Sequence, residues 1–185
     1  MNNNQSKLSM RKILMAAAAI TLMMTMGVLT SCTSDNDDNP ADDVEILVID
    51  PLLKWGCSIN DVEKHIQAKE WWADGNDKLD FWEDPFQCWH KWYYVVEDVL
   101  TEQYLFETED GQNLRYAMCC CWDNNVPVEL CKNTLHHQGF QATGNIVQFD
   151  GDPYEQYFSA DGQTEALVNV DDEGYWSIIY QPRNK

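Results

Sequence analysis

Apolar and polar positions alternate along much of the chain, which is the pattern of β-strands. In segment 114–122, Leu114 and Tyr116 alternate with Arg115, and segment 88–96 is dense in aromatic and β-branched residues. Because successive side chains of a strand point to opposite faces of a sheet, this period of two predicts half-buried strands. We expect strands at 44–49, 79–82, 88–96, 102–108, 114–122, 145–149, 154–159, 164–170 and 175–181.

Two segments instead repeat apolar residues every three or four positions, which predicts amphipathic helices. The first, over 59–69, follows Ser58 and Asp61, which have the spacing of a capping box. The second, over 126–138, is stopped by Gly139, a residue typical of helix ends. The apolar stripes are Ile59, Val62 and Ile66 in the first helix and Val128, Cys131 and Leu135 in the second.

Two predicted aromatic hairpins share a short sequence similarity, which we call the hairpin echo. The tripeptide Glu-Gln-Tyr occurs at 102–104 and at 155–157, and Asp-Gly-Gln follows it a few residues later in both places. Each hairpin comes after a predicted helix, which suggests two α-β-β-β units over 51–122 and 123–185. Chance similarity of two aromatic hairpins is the alternative. We therefore expect an α+β fold in which helices pack on an antiparallel β-sheet.

The strand at 114–122 has one face that is more apolar than the other. We expect this face to pack on the core, and it consists of Leu114, Tyr116, Met118, Cys120 and Trp122. The opposite face carries Cys119 and Cys121 beside the polar residues Asn113 and Arg115. These two thiols are therefore predicted to lie next to polar neighbours.

The start of the chain has the charge, apolar and small-residue order of a secretory signal. Arg11 and Lys12 precede an apolar run over 13–28, and Met10 is an alternative start. The sequence Leu29-Thr30-Ser31-Cys32 that follows resembles the lipobox of bacterial lipoproteins. That resemblance implies removal of residues 1–31 and acylation of Cys32, which becomes the first residue of the mature chain. An ordinary signal peptide cut near Ser31 and an uncleaved anchor helix are the alternatives, and both also export the rest of the chain.

Segment 33–43 is polar, acidic and without apolar periodicity, so we expect an unfolded tether that joins Cys32 to a globular domain over 44–185. Fully extended, the tether reaches roughly 35–40 Å. Acidic residues directly after the lipidated cysteine also resemble the surface-export signal of Bacteroidota-type lipoproteins. The resemblance implies an outer-membrane lipoprotein that faces the cell exterior, and a solvated spacer is the alternative. The opening of the domain at Trp55-Gly56-Cys57-Ser58 loosely resembles small Bacteroidota lipoprotein domains of unassigned function.

The charge of the chain excludes some partners. The whole chain has 12 basic and 31 acidic residues and a net charge of −19. Residues 1–31 hold three of the basic residues and no acidic one, so the mature chain carries 9 against 31, or −22. Nucleic acids and anionic lipids are bound through basic surface, so we expect neither as an electrostatic partner. The membrane is contacted through the lipid on Cys32.

Cysteine and histidine residues raise the hypothesis of a zinc site. Cys88 and His90 are two positions apart, as are Cys119 and Cys121, so each pair shares a strand face. Cys131, His136 or His137 would complete a tetrahedral set. The alternative is that the histidines stabilise a helix end and the cysteines fill the core. The six cysteines other than Cys32 also permit disulfides, in any of fifteen pairings.

Calcium is a second metal hypothesis. Segment 74–80 is rich in aspartate and asparagine, but it lacks the glycine at position six and the glutamate at position twelve of an EF-hand loop. Turn chemistry explains the same composition. We therefore predict no cofactor beyond the covalent lipid, with zinc and calcium kept as alternatives.

No catalytic residue can be assigned from the sequence. A hydrolase could use Cys88, Cys119 or Cys121 with a histidine, or Glu83 with Asp84 or Glu107 as acid and base. The serine-hydrolase elbow and the phosphate-binding loop are both absent from the sequence. A metal- or thiol-dependent hydrolase on the cell envelope is therefore the alternative function and not the main one.

Tryptophan clustering favours a binding function instead. A window of 22 residues holds the candidate ligand-binding residues Trp71, Trp72, Trp82, Trp89 and Trp92. Trp89 and Trp92 point to opposite strand faces, so at least one lies away from the main core. An exposed indole offers a flat apolar surface to a sugar ring or a protein side chain. We predict a surface-anchored binding or interaction module for a glycan, a protein or an envelope partner.

Overall fold

The computed structural model describes residue 47 and residues 49–69 and 78–183. The signal segment, Cys32 and the acidic tether lie outside these residues, as do Trp71, Trp72 and most of the candidate calcium segment. Leu47 and Ile49, from the strand expected at 44–49, are described. Neither belongs to a strand, and both side chains are buried.

The described residues form eight strands, which pair edge to edge in one antiparallel sheet. Their neighbours run β1-β2-β3-β4-β8-β7-β6-β5, so the pairing of β4 with β8 joins two four-stranded halves. In chain order the elements are α1 (Ile59–Gln67), β1 (Asp80–Trp82), β2 (Cys88–Val96), β3 (Leu100–Phe106), β4 (Leu114–Cys121), α2 (Val128–His137), β5 (Phe140–Phe149), β6 (Asp152–Ser159), β7 (Thr164–Val170) and β8 (Trp176–Pro182).

Both helices are confirmed close to their predicted bounds. The Ser58 backbone N–H donates to Asp61 Oδ2 at 3.2 Å, so the capping box starts α1 as expected. α2 ends at His137, and Gly139 adopts a φ of 85°, which a glycine reaches without strain. Within the described ranges, no helix has both the length and the apolar character needed to cross a membrane.

The predicted fold class, helices packed on an antiparallel sheet from two α-β-β-β units, is wrong. Of the described residues, 46% are in strands and 15% in helices, so the domain is dominated by its sheet. Four strands, not three, follow each helix. The two helices are short and bury only five side chains between them, namely Val62, Ile66, Cys131, Thr134 and Leu135.

The hairpin echo does not mark equivalent positions in the two halves. Segment 102–104 lies in β3, the third strand after its helix, whereas segment 155–157 lies in β6, the second strand after its helix. The two hairpins are therefore out of step by one strand. The similarity that suggested a duplication does not follow the architecture.

The sheet has one closed face. Here the helices and the segment at Ile49 cover a large core that includes Tyr104, Cys119 and Ile178. The prediction that Cys119 and Cys121 lie beside polar neighbours is therefore wrong, since they are 0% and 1% exposed. The burial of this face depends on elements distant in sequence, which strand alternation alone does not report. We call this side the helix face.

The other side of the sheet is covered only in part. A smaller core of Cys88, Leu105, Met118 and other residues lies there. Phe86, between β1 and β2, packs its ring 5.4 Å from that of Phe149 at the end of β5. Because these rings come from opposite ends of the strand order, the sheet curls toward this side. The area over β2 and β3 that these rings do not cover holds the candidate site.

Candidate functional site: an aromatic groove

A groove of about 590 Å³ opens on the curled side of the sheet. Its walls and floor come from β1, β2 and β3 and from the residue that follows β4. We call it the aromatic groove, and its lining residues are Phe81, Trp82, Glu83, His90, Trp92, Tyr94, Asp98, Thr101, Gln103 and Trp122.

Strand alternation builds the floor of the aromatic groove. His90, Trp92 and Tyr94 are every second residue of β2 and therefore share one face. Cross-strand pairing sets Gln103 opposite Trp92 and Thr101 opposite Tyr94. Aromatic rings from one strand thus stand beside polar side chains from the next.

Ring contacts hold the aromatic side chains in place. The Trp92 and Tyr94 rings meet edge to face, with centroids 4.9 Å apart. Trp82 packs its ring 5.1 Å from Phe86 and 5.3 Å from His90. Such aromatic contacts add stabilisation beyond the area they bury, so the lining is ordered before any ligand arrives.

Trp122 is the most exposed indole of the groove. Its side chain is 54% exposed, and its Nε1–H donates to Thr101 Oγ1 at 3.3 Å. By contrast, Trp176 is 2% exposed, and its indole donates to the Val126 carbonyl at 3.0 Å. Trp122 is therefore held by a hydrogen bond while much of its ring stays open to solvent.

The charged side chains of the lining are acidic. Glu83 and Asp98 are exposed at the groove, and no lysine or arginine is among its described lining residues. Burial lowers the pKa of His90 below its ordinary value of 6.5, while the Asp80 carboxylate acts to raise it. The imidazole is therefore neutral at pH 7, and its Nδ1 is buried without a hydrogen-bond partner within the described ranges.

Two of the five predicted binding tryptophans meet in the groove. Trp82 and Trp92 line it, whereas Trp89 lies on the other strand face with its ring 5.2 Å from Phe81. The prediction that Trp89 and Trp92 point to opposite faces is confirmed. Trp71 and Trp72 lie outside the described residues.

Sequence reasoning missed Trp122 because it assigned this residue to a core face. The ladder of β4 ends at Cys121, and the Asp123 carbonyl already accepts from the Cys121 thiol at 3.5 Å as the chain leaves the sheet. The position just before the polar run Asp123-Asn124-Asn125 was the available signal. Trp122 lies on the same side of the sheet as Met118 and Cys120, as predicted, but this side is open beyond the end of the ladder.

The candidate zinc ligands are divided between the two sides of the sheet. Cys88 lies in the smaller core, and its thiol donates to the Phe86 carbonyl at 3.2 Å. Cys119 and Cys121 lie in the core of the helix face. Across the described residues, no group of three or more His, Cys, Asp or Glu side chains is placed to hold a metal ion.

The thiols are poorly placed for nucleophilic chemistry. All six cysteines among the described residues are buried and free. Burial raises the pKa of Cys120 to about 12 and that of Cys121 to about 11, so both remain protonated at neutral pH. Thiolate, not thiol, is the nucleophile and the metal ligand.

The candidate acid–base carboxylates are likewise dispersed. Glu83 lines the aromatic groove, whereas Glu107 lies at the β3–β4 connection and accepts a hydrogen bond from Asn113. Neither Asp84 nor Glu107 is among the residues that line the groove. The described residues therefore offer no observation that favours the hydrolase alternative.

The aromatic groove has an arrangement suited to binding. It combines preformed rings, partial exposure and a few polar groups, which are the general features of a ligand site. Comparisons of the chain with family models, with curated proteins and with solved structures find no match.

Proposed function

We propose that this chain is a lipid-anchored surface protein whose aromatic groove binds an extracellular ligand, either a glycan or a protein. The observation that carries this proposal is the open set of rings formed by Trp82, Trp92, Tyr94 and Trp122. On the helix face, by contrast, the same sheet buries aromatic side chains completely, including Tyr104 and Tyr180 at 0% exposure. An ordered, half-open aromatic surface beside a closed core is typical of an interaction site.

The exposed rings can supply useful binding energy. A tryptophan side chain offers about 150–250 Å² of surface, and Trp122 leaves about half of it open. Covering that half would contribute about 2–3 kcal/mol at 25 cal/mol per Å². Association itself costs about 4–15 kcal/mol, so the other rings and the polar groups of the groove must add to this contribution.

The position of the chain entry supports display on a surface. Leu47 packs into the core of the helix face, and its backbone N–H donates to Thr134 Oγ1 at 2.7 Å. The groove lies on the opposite side of the sheet. A tether that reaches the domain at Leu47 would therefore join it on the side of the sheet opposite the groove.

The anchor in this proposal is the acylated Cys32, on the outer membrane and facing outward. Its support is the lipobox sequence and the acidic segment 33–43. Metabolic labelling with a clickable palmitate should mark the wild-type chain and leave the Cys32→Ala variant unmarked. Labelling that persists in Cys32→Ala, or an unlabelled wild type, would contradict lipid anchoring.

Binding by the groove is tested with the mature chain carrying Cys32→Ser to keep it free of lipid. The protein is applied to a glycan array and to candidate envelope proteins, together with Trp122→Ala and Trp92→Ala. Trp55→Ala is the matched control, because Trp55 packs against the core of the helix face and its indole donates to Thr164 Oγ1 at 3.2 Å. We expect binding that Trp122→Ala weakens at least about tenfold and Trp55→Ala leaves unchanged.

Two outcomes would decide against parts of this proposal. An empty glycan array would retire the glycan version and leave a protein ligand. Binding that survives Trp122→Ala and Trp92→Ala at full strength would show that the groove is not the site.

A further inference from the structure

We infer that the aromatic groove receives a basic side chain, the guanidinium or ammonium group of an arginine or lysine on an extracellular protein or peptide. This inference rests on the proposed function, because it assumes that the groove is a binding site. It adds the chemical class of the group that the site takes.

The charge of the lining is the first reason. Glu83 and Asp98 are its charged members, and both are acidic and exposed. A cation beside either carboxylate is attracted by it, whereas an anionic sugar or phosphate in the same position would be repelled. The net charge of −22 for residues 32–185 adds long-range attraction for a basic partner.

The rings are the second reason. The face of an aromatic ring carries negative charge density and attracts a cation within about 6 Å, and tryptophan is the strongest of the three aromatic residues. Trp82, Trp92 and Trp122 all line the groove. The chain makes this contact elsewhere, since the guanidinium of Arg183 lies 3.8 Å from the centroid of the Phe158 ring.

Hydrogen-bonding capacity is the third reason. Thr101 Oγ1 already accepts from the Trp122 indole, and the Gln103 amide donates to the Cys120 sulfur at 3.5 Å. The carboxylates of Glu83 and Asp98 can only accept hydrogen bonds when ionised. Guanidinium and ammonium groups carry donors and no acceptor, so they match these carboxylates.

The size of the groove also suits a long basic side chain. A volume of about 590 Å³ exceeds the needs of a lone ammonium ion. The methylene stem of arginine or lysine packs along apolar surface while its charged head stays near polar groups. The stem would lie over the rings and the head beside Asp98 or Glu83.

The test compares two capped tripeptides, acetyl-Gly-Arg-Gly-amide and the same peptide with citrulline in place of arginine. Citrulline keeps the shape of arginine but is neutral. Binding to the mature chain with Cys32→Ser is followed by indole fluorescence and by backbone amide chemical shifts. We expect the arginine peptide to bind about tenfold more tightly than the citrulline peptide, and added salt to reduce that preference.

Variants locate the preference in the groove. The double variant Glu83→Gln, Asp98→Asn should reduce the preference for arginine to less than about threefold. Glu129→Gln is the matched control, since Glu129 is an exposed acid of α2 and lies on the helix face, on the other side of the sheet from the groove. Trp122→Ala should weaken both peptides.

The outcomes distinguish failure of the cation inference from failure of the proposed function. Equal binding of both peptides that Trp122→Ala abolishes would overturn the cation inference and leave the groove as a binding site. Glycan binding without peptide binding would have the same meaning. An arginine preference that survives the double variant would also overturn the inference. If no peptide and no glycan perturbs the groove, both the inference and the proposed function fail.

Discussion

The tripeptide Glu-Gln-Tyr occurs twice in the chain, and its two copies place the same residue types in environments that differ in burial. In β3, the Glu102 carboxylate accepts from Lys69 Nζ at 2.9 and 3.0 Å and from the Tyr104 hydroxyl at 2.9 Å. In β6, Glu155 accepts from Lys132 Nζ at 2.7 Å and from the Tyr157 hydroxyl at 3.1 Å. Each copy therefore builds a Lys–Glu–Tyr cluster.

The two clusters differ in their exposure to water. The Lys69 and Glu102 side chains are 6% and 1% exposed, whereas those of Lys132 and Glu155 are 27% and 44% exposed. Glu102 also accepts from the Asp50 backbone N–H at 3.1 Å, which ties the entering chain to the sheet. Identical local sequence therefore gives a buried cluster in β3 and a partly exposed cluster in β6.

The same contrast separates the two sides of the sheet. Along β3, Glu102 points to the helix face and Gln103 to the groove side. Helices and the entering chain cover the helix face, and only a few rings cover the other side. The buried helix face stabilises the fold, and the open side remains available for a ligand.

The largest expected effect separates the two glutamates. Glu102→Ala leaves the buried Lys69 ammonium without its carboxylate, which should lower the free energy of unfolding by about 3–5 kcal/mol. Glu155→Ala, the matched control, should cost less than about 1 kcal/mol because water screens the exposed pair. Urea unfolding of both variants measures the difference. Equal losses of unfolding free energy in the two variants would show that burial does not distinguish the two clusters.

Two tryptophans extend the comparison to the two sides of the sheet. Trp176→Ala should lower the free energy of unfolding by about 3–5 kcal/mol, because it leaves a cavity and an unpaired Val126 carbonyl. Trp122→Ala should cost less than about 1 kcal/mol, because the ring is half exposed. Urea unfolding with a far-ultraviolet circular dichroism signal provides the measurement. A large loss in Trp122→Ala would mean that this ring serves the core.

Thiol chemistry probes the closed side without a substitution. Burial raises the pKa of Cys121 from its ordinary value of 9.0 to about 11, which lowers its thiolate fraction about 100-fold at neutral pH. Ellman's reagent should therefore react with the folded chain at least about 100-fold more slowly than with the chain in urea. The Cys32→Ser protein keeps the lipidation thiol out of the assay. Fast reaction of the folded protein would contradict the closed core.

The smallest expected effect concerns His90. Because burial lowers its pKa in the folded state, the unfolded chain binds the proton more readily. The stabilising contribution of neutral His90 is therefore present above pH 6.5 and is lost as the pH falls below that value. His90→Gln should flatten this part of the stability–pH curve, by less than the losses expected for Glu102→Ala. Unfolding in urea at a series of pH values between 5 and 8 provides the test, and a curve unchanged in His90→Gln would contradict it.

Local pattern was enough to place most elements correctly. Alternation in β2 placed Trp89 and Trp92 on opposite faces, and the capping box at Ser58 located the start of α1. β5 begins at Phe140 and not at 145, because a bulge between Ala142 and Ile146 interrupts its alternation. These features depend on residues a few positions apart, which a sequence displays directly.

The wrong predictions share one cause, which is that burial depends on elements distant in the sequence. The prediction for the opposite face of β4 was wrong because Cys119 is buried by α1, α2 and the entering chain, none of which is adjacent to it in sequence. The hairpin echo suggested a repeat, but strand order placed its copies at unequal positions. Trp122 was missed because its exposure depends on where the ladder ends.

The amino-acid sequence by itself determined the periodicity of each strand, the helix starts and the set of aromatic residues that a surface could present. It also carries the lipobox pattern, on which the proposed anchor depends. Only the tertiary structure decided that β4 pairs with β8, that Phe86 meets Phe149 and that the area beside them stays open. The physical reason is that side-chain direction follows from the local backbone, whereas burial depends on which distant element packs above it.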